Sequence, residues 1–108
     1  MYQAWFVQTH DKKPVLLDMP FCSIKSGDVQ VDVTSTGLNF ADLLLIRGTY
    51  QDTPPLPFTL GLEFSGIVTQ IAPDVTSFKI GDRVAGYTGH GGLATQITAP
   101  ADRCVKVP

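Results

Sequence analysis

The run Asp28–Thr34, with the sequence DVQVDVT, decides the fold class. Its three valines alternate with polar residues throughout, so they fall on one face of an extended chain, in which side chains repeat with a period of two. A strand of this kind is half buried in an antiparallel sheet, with one face on the core and the other toward water. Such a strand requires partner strands elsewhere in the chain.

Candidate partners lie at intervals of about ten residues, separated by glycines and prolines that favour turns. Aromatic, β-branched and other apolar residues predict strands at Tyr2–Gln8, Gly61–Ala72, Arg83–Tyr87, Leu93–Ala99 and Cys104–Val107. Short strands at this spacing are typical of a barrel or a sandwich. The sequence therefore predicts a mainly β domain.

One helix is predicted over Phe40–Arg47. Asn39 is suited to its N-cap, and Asp42, three residues later, approximates a capping box. Gly48 supplies the left-handed residue at which helices often end. The proline-rich segment that follows, residues 53–58 (TPPLPF), predicts irregular or extended chain rather than a ladder strand, because proline has no N–H to donate.

Length and composition exclude several classes of protein. A chain of 108 residues is about one domain, and 44% hydrophobic with 17% charged residues is typical of a soluble globular protein. A formal net charge of −2 gives no attraction for nucleic acid or anionic lipid. The longest aliphatic run, residues 43–46, is too short to cross a bilayer, and residues 1–8 lack a signal-peptide pattern. We expect neither nucleic-acid nor membrane partners.

The two cysteines, Cys22 and Cys104, are far apart and form no CxxC pattern. Domains held together by disulfides are usually smaller and richer in cysteine. The cysteine content therefore predicts free thiols and a cytoplasmic protein.

Several motifs together resemble the catalytic domain of the medium-chain dehydrogenase/reductase superfamily. In order along the chain they are residues 36–42 (TGLNFAD), 47–57 (RGTYQDTPPLP), 61–68 (GLEFSGIV), 78–84 (FKIGDRV) and 91–94 (GGLA). Each motif is weakly specific alone, but together they cover essentially the whole chain. The resemblance implies that residues 1–108 form a GroES-like catalytic, substrate-binding domain: a partly open, mainly β barrel with one or two short helices.

Two positions depart from the zinc-dependent members of that superfamily, which carry Cys at the position of Asn39 and His at the position of Leu62. Neither an amide nor an isobutyl group is a plausible zinc ligand. The four-cysteine lobe of many alcohol dehydrogenases is also lacking, since no cysteine lies between Asp82 and Pro100. The chain is thus similar to the zinc-independent quinone oxidoreductase branch, and we expect no metal site.

Complete enzymes of this branch place the cofactor and the substrate between the GroES-like domain and a Rossmann domain, which is absent from this sequence. Residues 89–94 (GHGGLA) match G-x-G-x-x-A, but a strand pattern follows where a dinucleotide site needs a helix. We interpret them as a hairpin connection. The resemblance implies a fragment of a two-domain enzyme, inactive alone, that lacks its C-terminal Rossmann domain; it allows a homodimer for the complete protein.

The function that the resemblance implies is NADPH-dependent, zinc-independent hydride transfer to a small-molecule quinone or enone. Asn39 and Tyr50 are its implied catalytic groups, Asn39 and Phe40 contact the cofactor, and Tyr50, Phe58 and Leu62 line the substrate pocket. Two structural interpretations stay open. Asn39 serves only as the helix N-cap, or Tyr50 only closes the edge of the core with its hydroxyl in water.

Other charged and polar residues receive mainly structural interpretations. Glu63 is expected to pair with Arg47 or Arg83, or to lie near the cofactor, and His10 and His90 are expected in turns. A missing domain also predicts an exposed apolar face. The alternative from another class is a stand-alone GroES-like binding or co-chaperonin module, which rests on fold analogy alone.

Overall fold

The computed structural model describes residues 1–21 and 23–108, so the prediction for Cys22 lies outside the described residues. The strands are β1 (Tyr2–Val7), β2 (Val15–Met19), β3 (Asp28–Ser35), β4 (Phe58–Thr59), β5 (Glu63–Ile71), β6 (Arg83–Tyr87), β7 (Gln96–Pro100) and β8 (Cys104–Lys106). The helices are α1 (Phe40–Arg47) and a 3₁₀ turn (Ala101–Arg103). The mainly β class with one or two short helices is confirmed. No helix in this part of the chain is long and apolar enough to span a bilayer.

The strands form two antiparallel sheets. One has the order β2-β1-β4, and the other has the order β7-β3-β5-β6-β8. Both sheets stay open and do not close into a barrel. The expected partly open barrel is therefore two open sheets, which meet at an isolated antiparallel bridge between Ala4 of β1 and Ala94, just before β7.

The strand β3 lies between β7 and β5 and pairs antiparallel with both, which confirms the predicted antiparallel strand. Val29 and Val31 are fully buried. Gln30 was expected to face water but is only 6% exposed. The register with β5 shifts between Gln30 and Val31, which breaks the alternation, and the Thr69 hydroxyl donates 3.3 Å to the Gln30 carbonyl.

The buried apolar residues form two clusters. The larger one lies against the five-stranded sheet and includes Val29, Val31, Phe64, Val68, Phe78 and Val84. The smaller one, here called the helix-side cluster, consists of Val7, Leu45, Phe58, Leu60 and Leu62. It joins α1 to β1 and to the segment before β5, so it fixes the helix against the sheets.

Two strands were not predicted from the sequence. The strand β2 is a short edge strand that pairs only with β1. The strand β4 contradicts the prediction that the proline-rich segment forms no ladder: Phe58 and Thr59 pair with Val7 and Phe6. The prolines end at residue 57, so both residues retain the N–H that a ladder needs.

The glycine-rich residues 89–94 connect β6 to β7, but they do not form the expected hairpin. The strands β3 and β5 lie between β6 and β7, so the connection crosses the sheet. The loop is held by backbone hydrogen bonds from Gly91 to Thr59 (2.8 Å) and from Leu93 to Leu60 (2.8 Å). A strand and not a helix follows it, which confirms that it is no dinucleotide fingerprint.

Candidate functional site

Asn39 caps the N-terminus of α1. Its backbone is extended (φ −145°), and its side-chain Oδ1 accepts the Ala41 N–H at 3.2 Å. The Asn39 N–H in turn donates to Asp42 Oδ2 at 3.0 Å. The predicted capping box is confirmed, and at the other end Gly48 (φ 75°) ends the helix as predicted.

The same side chain keeps its donors free. An asparagine amide has one acceptor oxygen and an NH₂ group with two donors, and the cap uses only the oxygen. The Asn39 side chain is exposed, and its NH₂ group donates to no atom in the part of the chain that the structure describes. Capping and ligand binding thus use different atoms, so the two interpretations of Asn39 are compatible.

Asp42 ties the start of the helix to the segment that precedes β5. It is 5% exposed, and its Oδ1 accepts the Gly61 N–H at 3.2 Å. Gly61 has φ +96°, and a Cβ there would clash with the backbone nitrogen of Leu93. The position of Asn39 is therefore fixed relative to the 61–63 segment.

Apolar side chains surround this helix start. Leu38, Phe40 and Leu43 are 66%, 70% and 52% exposed. They line a groove of about 410 Å³ together with Asn39, Trp5, Pro14, Leu60 and Leu93. An exposed apolar surface of the kind expected at a domain contact occurs here, and Phe40 stands at its edge beside the Asn39 amide.

Tyr50 lies half buried against the helix-side cluster. Tyr87, the last residue of β6, lies within interaction range of its hydroxyl. The Tyr50 hydroxyl, burial and the charges of Asp52 and Glu63 raise the pKa of Tyr87 above its ordinary value. Tyr87 was not identified from the sequence; its place at the end of a strand and before a glycine-rich loop was the available signal.

Glu63 stands directly opposite Tyr87 in the β5–β6 ladder. Its carboxylate covers Gly37, where a Cβ would clash with Oε1. These residues line a groove of about 450 Å³ with Ser35, Ser65 and Arg103. The groove thus places a carboxylate and a phenol hydroxyl beside the loop that leads to Asn39.

The expected ion pairs of Glu63 are wrong. Within residues 1–21 and 23–108, the one salt bridge joins Lys106 to Asp82 at 3.5 Å, and neither Arg47 nor Arg83 reaches Glu63. Glu63 is exposed, and its carboxylate lies against Gly37 instead.

Phe58 and Leu62 are buried in the helix-side cluster, at 4% and 2% exposure. The Leu62 carbonyl accepts the N–H groups of Thr88 (2.9 Å) and Gly89 (3.1 Å). Packing accounts for both side chains, and their expected part in the substrate pocket stays a prediction. The described residues bring Asn39 and Phe40 together, and Tyr50 together with Phe58 and Leu62.

The two histidines lie in turns, as expected. The His10 ring packs against Gly48 at the end of α1, and its Nδ1 is buried without a hydrogen-bond partner among the described residues. Burial lowers the pKa of His90. The described part of the chain has no group of three or more His, Cys, Asp or Glu side chains arranged to hold a metal ion.

Comparison with known proteins identifies the family. Residues 25–108 match the alcohol dehydrogenase GroES-like domain. This chain belongs to that family. The chain is 46% identical over 81 residues to quinone oxidoreductase-like protein 2 of Rattus norvegicus, covering 75% of this chain and 23% of the rat protein. The resemblance to the quinone oxidoreductase branch is confirmed.

Solved structures agree with this family assignment. A quinone oxidoreductase of Pseudomonas syringae superposes on all of this GroES-like domain with a TM-score of 0.91 at 32% identity. The Escherichia coli quinone oxidoreductase, solved in complex with NADPH, matches 98% of the domain with a TM-score of 0.86 at 26% identity. The domain spans 34% and 33% of those chains and about a quarter of the rat relative.

Proposed function

We propose that this GroES-like domain is the substrate-binding part of a zinc-independent oxidoreductase that transfers hydride from NADPH to a small quinone or enone. The observation that carries the proposal is the Asn39 amide, whose oxygen caps α1 while its NH₂ group stays free at an exposed, apolar helix start. The quinone oxidoreductase-like relatives support the reaction class. The NADPH complex of the Escherichia coli enzyme supports the cofactor.

The residues around the helix start fit the nicotinamide end of such a cofactor. Phe40 offers an exposed aromatic face, and the free Asn39 donors match a carboxamide or carbonyl oxygen. NADPH, when bound, supplies the hydride, and the protein contributes binding, orientation and electrostatics. A second, Rossmann domain of the complete protein would hold the phosphates, since no described helix follows a glycine-rich strand turn here.

The polar groups of the site suit an acceptor oxygen that gains negative charge. A carbonyl that receives hydride develops this charge on its oxygen, and fixed donors lower its energy. The Asn39 NH₂ group and the Tyr50 hydroxyl are the donors we assign to this role. Loss of one such donor typically costs about 10²-fold to 10³-fold in kcat.

We further propose that the reaction needs no zinc. Asn39 and Leu62 stand where zinc-dependent members carry ligands, and Leu62 is packed into the helix-side cluster with no polar atom in its side chain. The complete protein is proposed to be cytoplasmic, which is consistent with the buried, unpaired thiol of Cys104.

The co-chaperonin alternative gains no support from the described residues. Residues 50–57 form a compact loop in which the Thr53 N–H donates to the Tyr50 carbonyl at 3.1 Å. A co-chaperonin would be expected to carry a long, flexible loop at such a position.

The test uses the complete protein and compares Asn39→Ser with Asn39→Ala. Serine caps helices about as well as asparagine, so Asn39→Ser is expected to unfold at the same temperature, whereas Asn39→Ala loses about 1 kcal/mol. Both variants lack the amide donors and should lose about 10²-fold to 10³-fold in kcat for NADPH-dependent reduction of a naphthoquinone.

Three results would contradict the proposal. Full activity in Asn39→Ser would show that the Asn39 amide takes no part in the reaction. A complete protein that oxidises NADPH with neither a naphthoquinone nor an enone would show that the proposed reaction is wrong. A loss of activity on dialysis against a chelator, restored by Zn²⁺, would contradict zinc independence.

A further inference from the structure

One side chain anchors the segment that leads from β3 into α1. Thr36 follows β3 directly, and its hydroxyl donates to the Gly92 carbonyl at 2.6 Å. Residues 36–38 belong to no helix or strand. In the described part of the chain, they take no part in the backbone hydrogen bonds that connect turns and loops. The Thr36 hydroxyl therefore fixes the path of this segment, which ends at Asn39.

The acceptor of this hydrogen bond is itself held in place. The Gly92 N–H donates to the Gly61 carbonyl at 2.9 Å, and the next N–H, that of Leu93, donates to the Leu60 carbonyl at 2.8 Å. Gly92 is buried, and a Cβ there would clash with the backbone at the start of β5. The Gly92 carbonyl is thus a fixed acceptor on a closely packed backbone.

Asn39 is held from its other side through the same two glycines. Asp42 accepts the Asn39 N–H at 3.0 Å and, with its other oxygen, the Gly61 N–H at 3.2 Å. Gly61 is joined to Gly92, which accepts from Thr36. These hydrogen bonds close a ring that starts at Thr36 and ends at Asp42, and Asn39 lies between its two ends. The position of the Asn39 amide therefore depends on both anchors.

The Thr36 anchor also fixes Asn39 relative to the groove at the helix start. Leu93, which follows the acceptor Gly92, lines this groove of about 410 Å³ together with Asn39. A shift of Thr36 relative to Gly92 would move the Asn39 amide relative to that wall. A donor to developing charge must lie about 2.7–3.1 Å from the oxygen that it stabilises, so a small shift weakens its effect.

We propose that Thr36 is a positioning residue for Asn39. Its hydrogen bond to the Gly92 carbonyl holds the segment before α1, so that the free Asn39 NH₂ group keeps its place at the groove. This role rests on the proposed function, because it requires a ligand oxygen within reach of that amide. Asp42 fixes Asn39 to the helix, whereas Thr36 fixes it to the glycine-rich loop of residues 89–94.

The activity test uses substitutions of Thr36 in the complete protein. Thr36→Val keeps the branched shape but loses the hydroxyl, and it should lower kcat for NADPH-dependent reduction of a naphthoquinone by about tenfold, less than the roughly 10²-fold that a misplacement of 1 Å can cost. KM should change little, because the Asn39 donors act on charge that develops during the reaction. Thr36→Ser keeps the hydroxyl and should retain most of the activity. Thr36→Ala, a second variant without the hydroxyl, should show the same loss as Thr36→Val.

Thr34→Val is the matched control. The Thr34 hydroxyl also donates to a backbone carbonyl, that of Ser65 at 3.2 Å, but this bond joins β3 to β5 and is not part of the ring that holds Asn39. Thr34→Val should therefore keep full kcat. Equal losses of kcat in Thr34→Val and Thr36→Val would overturn the positioning role, since they would show that the loss of either hydroxyl slows the enzyme.

A double variant tests whether Thr36 acts through Asn39. If it does, Thr36→Val combined with Asn39→Ser should be as slow as Asn39→Ser alone, because the amide that Thr36 positions is already gone. Effects that multiply in the double variant would show that Thr36 acts by another route, and the proposal would be wrong.

A further readout follows the Asn39 amide without turnover. Asn39 is the only asparagine in residues 1–108. In complete protein labelled with ¹⁵N-asparagine, its side-chain NH₂ signal is identified by its loss in Asn39→Ser. Thr36→Val should shift or broaden this signal, whereas Thr36→Ser and Thr34→Val should leave it in place. An unmoved Asn39 signal in Thr36→Val would overturn the inference even if the activity fell.

The outcomes separate this inference from the proposed function. If the complete protein reduces a naphthoquinone and Thr36→Val is fully active, the positioning role is wrong while the proposed function stands. If the complete protein reduces neither quinone nor enone, the proposed function fails and the positioning role fails with it. A loss of kcat in Thr36→Val but not in Thr34→Val, together with a moved Asn39 signal, supports the proposal.

Discussion

The carboxylate of Asp42 accepts the backbone N–H of Gly61 at 3.2 Å, across 19 residues of sequence. Its other oxygen accepts the Asn39 N–H at 3.0 Å. One buried side chain therefore closes the N-terminus of α1 and holds the segment that leads into β5. The Asn39 amide, the proposed donor of the site, stands on this junction.

Replacement of Asp42 should loosen the junction. Asp42→Ala leaves two backbone donors without their charged acceptor, and hydrogen bonds to charged groups contribute about 1.5–3 kcal/mol each. We expect the free energy of unfolding to fall by about 3 kcal/mol, measured by urea denaturation. Asp18→Ala, on the exposed side of β2, is the matched control and should change it by less than about 0.5 kcal/mol. Equal effects in the two variants would contradict this account.

Gly61 is required for a steric reason that Gly81 lacks. The two glycines have nearly the same φ, +96° and +94°, but a Cβ at Gly61 would clash with the Leu93 backbone, whereas nothing lies within 4 Å at Gly81. Gly81→Ala should therefore cost only about 1–2 kcal/mol for the left-handed backbone. Gly61→Ala adds overpacking, and we expect it to cost at least about 3 kcal/mol in thermal or urea unfolding. A cost no larger than that of Gly81→Ala would refute the close approach.

The sequence predicted best where a local rule decided the structure. The capping box at Asn39 and the glycine end at Gly48 depend on neighbouring residues only, and both occur where predicted. The alternation of Asp28–Thr34 likewise identified β3, because its valine face meets the core. Sequence motifs alone also identified the family, because five of them occur in the same order along the chain as in its members.

Features that depend on distant partners could not be predicted in the same way. The strand β4 forms because Phe58 and Thr59 pair with β1. The prolines before these two residues predict irregular chain, so the sequence alone gives no sign of this pairing. The 89–94 connection contains turn residues typical of a hairpin, but the order of strands in the sheet makes it a crossover. Tyr87 joins the site only because β6 pairs with β5, which places Tyr87 beside residues 62–63.

Acid should destabilise the domain through two carboxylates in turns. Hydrogen bonds from Ser26 and Gly27 lower the pKa of Asp74, and the Lys79 N–H lowers the pKa of Asp82. A lowered folded-state pKa means that the stabilisation is complete above the unfolded value, near 3.8, and is lost as the pH falls through the folded value.

The pH dependence of unfolding checks this expectation. The urea midpoint of the protein should fall as the pH decreases below about 4, and Asp74→Asn should show a smaller fall over the same range. Asp18→Asn is the control and should follow the unaltered protein. A fall of the same size in Asp74→Asn would show that the hydrogen bonds of Asp74 with Ser26 and Gly27 do not contribute to the pH dependence of stability.

The charges around Tyr87 predict which quinones the complete protein reduces most efficiently. Glu63 and Asp52 both act on Tyr87, against the single positive charge of Arg103 in the same groove, so an acceptor bound beside Tyr87 meets negative potential. A quinone that carries a sulfonate should therefore show a lower kcat/KM than its neutral parent, by about threefold to tenfold at low salt, and the difference should shrink as the ionic strength rises. Glu63→Gln should reduce the discrimination without slowing the neutral quinone, whereas Asp18→Asn should leave it unchanged. If the sulfonated and neutral quinones react equally well at low salt, the substrate does not bind beside Glu63.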